Sequence, residues 1–420
     1  MFEGLRRYLS KLGPGLITGA SDDDPSGIST YSMAGASAGY SMLWLTVITS
    51  PMMAVIQGMC ARIGLVTGAG LATTMRRRLP VWLLYPLGFS VIVANTINAG
   101  ADLEGMGAAA RLVFGMPRIL WVVLFGVILI VLQVFLSYRL FSAIVKWLTL
   151  ALFSYVITAF VVRPPWGIVL RHVAVPTVHV NSGWLTTLVA VLGTTITPYL
   201  FFWQAALEVE DEKQAGRKTE ASRKGATAQE IGDMHADVNG GMIFSNLVAF
   251  FIMVTTAATL GAHGKHNIAS AADAARALAP LAGRFASWLF ALGMVGTGLL
   301  AIPALVASSA YILVGSFGFR QGLDARPTRA PQFYGTLVAG TLVAIGMGLF
   351  NIDPIGALFW SAVINGVVAV PILAVIVLLA SDRQLMGKWT SSLAARAWGW
   401  FTVGAMAAAA IAMFAFWGKS

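Results

Sequence analysis

The sequence is poor in charged residues, in cysteine and in histidine. Only 11% of its 420 residues are charged and 57% are hydrophobic, whereas a soluble domain usually carries about 25% charged residues. This shortage of charge excludes an ordinary soluble fold and indicates a polytopic membrane protein. The chain has a single cysteine, Cys60, which excludes an intrachain disulfide. Because Cys60 lies in an apolar segment, we interpret it as a small core residue.

Enzyme and targeting patterns are also missing. No metal-hydrolase, nucleotide-binding or Ser/His/Asp pattern stands out, so we expect no enzyme activity and no cofactor apart from a transported ion. Residues 1–11 carry positive charge but no apolar core followed by a cleavage site, and we interpret them as a retained cytoplasmic N-terminus. The net charge of +10 is typical of basic cytoplasmic loops, and we expect no nucleic-acid partner.

Apolar stretches that are long enough to cross a bilayer recur eleven times. Their predicted spans are 12–40, 42–67, 81–110, 119–137, 140–162, 184–207, 238–261, 285–316, 332–350, 355–380 and 397–417. Between them we expect an outer loop at 163–183, a polar cytoplasmic loop at 208–237 with a solvated acidic start, and a short external helix within 262–284.

The distribution of basic residues predicts the orientation. With the N-terminus inside, 20 of the 28 Lys and Arg residues fall on the inner side and 8 on the outer side. This bias agrees with the positive-inside rule. We therefore expect a multi-pass protein of the cell (inner) membrane, with a cytoplasmic N-terminus and, after eleven spans, an external C-terminus.

Span one is interrupted by acidic and helix-breaking residues. The segment from Gly19 to Gly27 reads GASDDDPSG, so three consecutive carboxylates run directly into Pro25. A charge within a membrane span costs roughly 2.5 to 3.5 kcal/mol on insertion scales, which makes this cluster a functional candidate. Because proline removes a backbone donor, we predict a helix that is broken in mid-membrane.

Span six contains a second interruption of the same kind. Pro198 lies in its middle, after a run of small and polar residues that includes Gly193, Thr194 and Thr197. Two ordinary proline kinks are the simpler interpretation. However, interrupted spans at corresponding positions of two halves point to a transporter site built on inverted repeats. There, the carbonyl oxygens freed at the breaks would coordinate a cation, and Asp24 would supply the charge.

The motifs DDDPSG in span one, NAGADLEGM in span three and TPY in span six resemble the Nramp family of divalent metal transporters. The resemblance covers essentially the whole chain. It implies an all-α polytopic membrane protein with the LeuT-like fold, whose helices one and six are broken in mid-membrane. Spans one to five (12–162) and six to ten (184–380) would form two inverted five-helix repeats, followed by an eleventh helix at 397–417.

The resemblance also implies roles for single residues, and the departures from the family pattern matter. Asp24 takes the place of the metal-binding aspartate, and Ser21 that of a carbonyl donor. Gly27 stands in place of an asparagine ligand, Thr197 in place of a methionine, and Tyr199 in place of a histidine. Span nine has no arginine, and none of the five histidines lies in a span. These changes resemble the Nramp-related magnesium transporter branch, which implies that proton coupling is lost.

A site of carboxylate, hydroxyl, carbonyl and water oxygens suits a hard ion, so we expect import of Mg²⁺ and also of Mn²⁺. In span three, Asn95, Asn98 and Asp102 share one helix face and would line the permeation path, while Glu104 projects elsewhere and is interpreted as structural. The candidate metal site comprises Ser21, Asp24, Gly27, Thr194, Thr197, Ser361 and Asn365; the candidate permeation path comprises Asn95, Asn98, Asp102 and Tyr199.

Three alternatives remain open at this stage. The first is a proton-coupled Mn²⁺/Fe²⁺ transporter of the ordinary Nramp type. The second is a Na⁺-coupled carrier of an organic solute on the same fold, against which three Asp at the break argue when the solute is anionic. The third is an intramembrane aspartyl protease that pairs Asp24 with Asp102. Besides the metal ion and the lipid bilayer, we expect no obligatory protein partner.

Overall fold

The computed structural model describes residues 13–135, 151–323, 325–350 and 353–418. Within these ranges the chain forms fifteen α-helices of eight residues or more, together with shorter helical turns. They are α1 (Pro14–Asp22), α2 (Pro25–Ala38), α3 (Trp44–Thr67), α4 (Leu71–Arg78), α5 (Val81–Phe114), α6 (Arg118–Phe135), α7 (Phe153–Val162), α8 (Trp166–Ala174), α9 (Ser182–Thr195), α10 (Pro198–Gln214), α11 (Ala228–Thr259), α12 (Ala286–Phe317), α13 (Pro331–Met347), α14 (Pro354–Ser381) and α15 (Leu393–Ala415).

Nine stretches of the described chain are helical, long and apolar enough to cross a bilayer. They correspond to nine of the eleven predicted spans. Span one consists of the two shorter helices α1 and α2. For predicted span five the structure describes the ten-residue α7, while residues 140–150 lie outside the described ranges. The predicted cytoplasmic segment 1–11 also lies outside them.

The two predicted breaks are confirmed, and proline explains where each one falls. Pro25 and Pro198 each occupy the first turn of the helix that follows the break. Proline disfavours a helical conformation in the residue before it. Accordingly, Asp24 has ψ of 170° and Thr197 has ψ of 138°, both in the extended region. The local effect of each proline therefore explains the interruption between α1 and α2 and that between α9 and α10.

Glycines allow the half-helices to approach their neighbours very closely. A Cβ added to Gly19 of α1 would clash with the backbone of Gly241 in α11, and one added to Gly193 of α9 would clash with the backbone of Gly366 in α14. Small residues permit such backbone contact between membrane helices. The half-helices α1 and α9 therefore pack with their backbones directly against α11 and α14, with few side-chain atoms between them.

Contacts between loops agree with the predicted grouping of the two membrane faces. Arg77 in the last turn of α4 makes a bidentate pair with Glu220, at 2.8 and 2.7 Å, and Arg78 pairs with Asp382 at 3.4 Å. These three loops were all predicted on one side, which we call the inner side. On the other side, Trp44 donates to the Thr177 carbonyl at 3.3 Å.

Two predicted loops are more helical than expected. The outer loop 163–183 contains α8. The inner loop 208–237 is shorter than predicted, because α10 continues to Gln214 and α11 begins at Ala228.

The prediction that the acidic start of this loop is solvated was wrong, because Glu208, Glu210 and Glu212 are buried. Gln204 donates to Glu208 at 2.9 Å and Tyr311 donates to Glu210 at 3.0 Å, which satisfies part of their hydrogen-bonding capacity. Short helical turns at 271–282 match the predicted external helix.

Candidate functional site

Asp24 lies at the break between α1 and α2 and caps the N-terminus of α2. Its Oδ1 accepts hydrogen bonds from the Ser26 hydroxyl and from the Gly27 backbone N–H, both at 2.7 Å. Its Oδ2 accepts from the Asn98 amide at 3.1 Å. The side chain is only 3% exposed. The carboxylate is thus held in a fixed orientation by three neutral donors, without a cationic side chain among them.

Asn98 of α5 connects Asp24 to a second carboxylate and to α14. Its amide nitrogen also donates to Asp102 at 3.1 Å, and Asp102 accepts from the Ser26 backbone N–H at 3.1 Å. The Asn98 carbonyl oxygen accepts from the Asn365 amide at 3.0 Å. The structure thereby brings together four of the predicted residues from α2, α5 and α14.

Tyr199 joins the two breaks directly. Its hydroxyl donates to the Ser21 carbonyl oxygen at 2.6 Å, at the end of α1. The Tyr199 carbonyl in turn accepts from the Ser308 hydroxyl of α12 at 2.9 Å. Both Tyr199 and Ser21 are fully buried. The last turn of α1 and the first turn of α10 therefore close the inner side of the Asp24 region.

Three predicted oxygen donors are buried without a hydrogen-bond partner. They are Thr194 Oγ1 and Thr197 Oγ1 at the break of span six and Asn365 Oδ1 of α14. A Cβ placed on Gly27 would lie 3.3 Å from Thr194 Oγ1 and 3.4 Å from Asp24 Oδ1, so Gly27 leaves space between these two oxygens. Buried polar atoms normally have partners. Unpartnered oxygens near a buried carboxylate are donors that a cation could bind.

The chemistry of this arrangement is that of one carboxylate among neutral oxygens. In the described parts of the chain, no group of three or more His, Cys, Asp or Glu side chains is placed to hold a metal ion. A cation at Asp24 would instead use hydroxyl, amide and carbonyl oxygens together with water. Such ligands are typical of sites for Mg²⁺ and Mn²⁺, while thiolate and thioether ligands select softer metals.

Asp22 and Asp23 are turned toward a different helix. Ser245 of α11 donates to an Asp22 oxygen and lies 3.4 Å from an Asp23 oxygen, while the other oxygen of each carboxylate has no partner. All three side chains are buried. Ser245 was missed at the sequence level. Its only signal was a hydroxyl residue within the apolar run of span seven.

Some predicted residues lie outside the Asp24 network. Asn95 donates to α12 instead, to the Leu305 carbonyl at 3.4 Å and to the Ser309 hydroxyl at 3.2 Å. Ser361 is buried and donates to the Leu358 carbonyl of its own helix at 2.8 Å. Glu104 pairs with Arg118 at 2.7 Å, in keeping with a structural role.

A cavity of about 790 Å³ lies on the outer side of this region. Its walls include the outer turns of α2, α9 and α14. Asp24 caps the opposite end of α2, and α9 and α14 carry Thr194 and Asn365. Its lining includes Ser37, Thr187, Trp360, His179 and His266. Asp24, Thr194 and Asn365 are themselves buried, so the cavity lies above the site, at the outer ends of these helices.

Comparisons with known proteins identify relatives over nearly the whole chain. Residues 15–416 match the family model described as "Natural resistance-associated macrophage protein-like", or Nramp. The divalent metal cation transporter MntH of Aeromonas hydrophila subsp. hydrophila is 27% identical over 394 residues, which cover 91% of this chain and 89% of that protein.

Two solved structures are similar in fold. A manganese transporter of Eremococcus coleocola, in complex with an aromatic bis-isothiourea substituted compound, superposes with a TM-score of 0.74 at 20% identity, over 99% of this chain and 89% of that one. Mhp1, a nucleobase-cation-symport-1 family transporter in a closed conformation, has a TM-score of 0.55 at 15% identity, over 96% and 90% of the two chains. The expected LeuT-like fold is confirmed, while the bounds of its two repeats stay a prediction.

Proposed function

The chain belongs to the Nramp family, and from this premise we propose that it is a multi-pass membrane transporter whose substrate is a divalent metal cation. The observation that carries the proposal is the buried Asp24 carboxylate at a helix break, close to the unpartnered oxygen of Thr194 and linked through Asn98 to Asn365. A further unpartnered oxygen, that of Thr197, lies at the other break. Leaving such groups buried and unbound costs free energy, which a bound cation would offset.

We further propose that the preferred substrates are hard ions, Mg²⁺ first and Mn²⁺ second. Thr197 and Gly27 occupy positions where the family pattern has a thioether and an amide. Their replacement leaves oxygen ligands only and a wider space beside Asp24. Mg²⁺ gives up its waters reluctantly, so extra space favours an ion that enters with part of its hydration shell.

We propose that transport proceeds without obligatory proton coupling. Tyr199 stands where the family pattern has a histidine, and its hydroxyl donates to the Ser21 carbonyl. A tyrosine has a pKa near 10 and does not exchange protons readily at neutral pH. The predicted span nine, which overlaps α13, has no arginine. Two groups suited to carrying a proton are therefore absent from the sequence positions where the resemblance would place them.

The second candidate function is proton-coupled manganese transport of the ordinary Nramp type. It is favoured by the relatives, which are named as MntH divalent metal cation transporters and manganese transporters. It is also favoured by the short connection from Asp24 through Asn98 to Asp102, because a second buried carboxylate could accept a proton when the metal leaves.

Flux measurements on purified protein in liposomes separate these candidates. Uptake of Mg²⁺, Mn²⁺ and Ca²⁺ is compared while a trapped dye records internal pH. We expect Mg²⁺ and Mn²⁺ to enter without acidification in step with the metal. Acidification proportional to metal entry would support the proton-coupled candidate. Absence of any divalent flux, with protein that is folded and inserted, would reject the transport proposal itself.

We propose the orientation that the charge count predicts, with the N-terminus in the cytoplasm and the C-terminus outside. The support is the basic residues of the inner loops, including Arg76 to Arg78, and the contacts that group those loops on one face. Labelling of single cysteines placed at Lys218 and at Asn267, in intact cells, tests it. Only the second should react with a membrane-impermeant maleimide.

A further inference from the structure

Asp237, in the third turn of α11, caps a helix that lies far away in the sequence. Its Oδ1 accepts from the backbone N–H of Gly13 at 2.9 Å and of Leu16 at 3.2 Å, and its Oδ2 accepts from that of Gly15 at 2.6 Å. The donors are 221 to 224 residues away in the chain. Asp237 is only 5% exposed. The carboxylate therefore binds the entire free N-terminus of α1.

This cap fixes the position of α1 and does not merely favour its helical conformation. The first N–H groups of a helix have no partner within it, and a local side chain usually supplies one. Here the N-cap residue is Gly13, which has no side chain for that purpose, and Pro14 has no N–H to satisfy. A carboxylate from another helix supplies all three bonds and complements the helix dipole. Breaking them frees the inner end of α1 from α11, while the bond from Ser245 of α11 to Asp22 still holds the far end.

The contacts along the side of α1 do little to prevent it from moving relative to α11. Its interface with α11 is built on Gly15 and Gly19, whose backbones touch those of Val238 and Gly241. At its far end, α1 reaches the candidate metal site, where Tyr199 donates to the Ser21 carbonyl and Ser245 of α11 donates to Asp22. At 1.5 Å per residue its nine residues span about 13 Å. The helix α1 therefore has hydrogen bonds to other helices at both of its ends, and between them it packs through glycines that carry no side chain.

We propose that Asp237 is a positioning residue that holds α1 closed over the inner side of the candidate metal site, so that release of the ion inward requires these three bonds to break. The inference rests on the proposed transport function for its purpose, but its structural content is independent of it. No other polar bond described at the inner end of α1 crosses to another helix. Loss of the carboxylate should therefore shift α1 toward an open position.

Cysteine accessibility tests the position of α1 without any need for transport. Thr18 of α1 is completely buried, and the single native cysteine, Cys60, is also buried. A Cys60→Ala chain with Thr18→Cys then reports opening through its rate of reaction with a polar maleimide in purified full-length protein. Asp237→Ala is compared with Asp237→Asn, which keeps one acceptor oxygen. Asp233→Asn is the control, because it removes the same charge from α11 but contributes none of the three capping bonds.

We expect Asp237→Ala to raise the labelling rate about tenfold, equivalent to ~1.4 kcal/mol, with Asp237→Asn in between and Asp233→Asn unchanged. In liposomes, Asp237→Ala should raise the KM for external metal, because fewer molecules present a closed inner side. Unchanged labelling in Asp237→Ala, or an equal rise in Asp233→Asn, overturns the inference. If Asp237→Ala does not fold, Asp237→Asn decides the question. Failure of the unmutated chain to carry metal would reject the proposed function and leave the labelling result standing.

Discussion

The Tyr199 hydroxyl lies 2.6 Å from the Ser21 carbonyl oxygen and joins the break of span six to that of span one. Ser21 lies in the last turn of α1, which leads into Asp23 and Asp24. This bond therefore sets the distance between the two halves of the candidate site. A buried hydrogen bond of this kind is worth about 1 kcal/mol, and loss of one partner leaves a buried carbonyl unsatisfied.

Tyr199→Phe should therefore weaken metal binding as well as stability. We expect about a fivefold rise in KM for Mg²⁺ or Mn²⁺, which corresponds to the ~1 kcal/mol of the bond. Tyr334→Phe is a matched control, since the Tyr334 hydroxyl donates to the Leu323 carbonyl at 2.8 Å, away from the site. It should lower the melting temperature and leave KM unchanged. A normal KM in Tyr199→Phe would show that the two breaks do not need this bond to form the site.

Asp24→Asn should strongly reduce metal flux and cost little stability. The amide can still accept from Gly27, but the negative charge is gone. Removal of groups that only support a metal ligand already costs 10- to 100-fold, so we expect a loss on the order of 100-fold or more for the ligand itself.

Asp353→Asn offers a close control for this change. Asp353 also precedes a proline and caps a helix, through a hydrogen bond of 2.8 Å from Gly356, but it is exposed. Both variants keep a cap, because asparagine is about as good an N-cap residue as aspartate. Flux of Mg²⁺ and Mn²⁺ should fall only in Asp24→Asn. Equal flux in the two variants would remove Asp24 from the transport path.

The breaks could be predicted from the sequence because their causes are local. Pro25 and Pro198 act on their own first turns, and Asp24 caps the helix that begins one residue later. No distant contact is needed to place them. The apolar runs likewise predict helices, because a span of the bilayer requires about 20 apolar residues wherever it packs.

The partners of buried polar groups could not be predicted in the same way. Asn95 and Asn98 share a face of α5, yet one meets α12 and the other meets Asp24. Sequence spacing gives the face of a helix but not which neighbour covers each turn. Ser245 is more than 220 residues from the two carboxylates it contacts. The same limit explains the buried Glu210, whose partner Tyr311 lies on α12.

Thr197→Met should shift selectivity toward softer ions. Thr197 Oγ1 is buried without a partner at the break of span six, so the new thioether would enter the place of a free oxygen. Sulfur ligands favour softer metals over Mg²⁺. We expect the ratio of Cd²⁺ to Mg²⁺ affinity to rise by about tenfold, or ~1.4 kcal/mol. Thr197→Leu, of similar size but without sulfur, is the control and should weaken both ions. An unchanged ratio in Thr197→Met would place Thr197 out of contact with the ion.

Gly27→Ala tests whether space beside Asp24 serves a hydrated ion. The added methyl would lie 3.3 Å from Thr194 Oγ1 and 3.4 Å from Asp24 Oδ1, which is tight but does not force the backbone to move. Alanine is also a better helix former than glycine by roughly 0.5–1 kcal/mol, so the variant should fold. Mg²⁺ keeps its waters more firmly than larger ions do.

The methyl should therefore reduce Mg²⁺ flux by about tenfold, or ~1.4 kcal/mol, and Mn²⁺ flux by less. Gly335→Ala in α13 is the control, because a Cβ there meets no atom within 4 Å. It gains the same helix propensity and should leave both fluxes unchanged. If Gly27→Ala lowers both ions equally, the methyl acts on Asp24 itself and not on the water of the ion. If neither flux changes, the ion does not pass between Thr194 and Asp24, and the proposed preference for Mg²⁺ loses its structural basis.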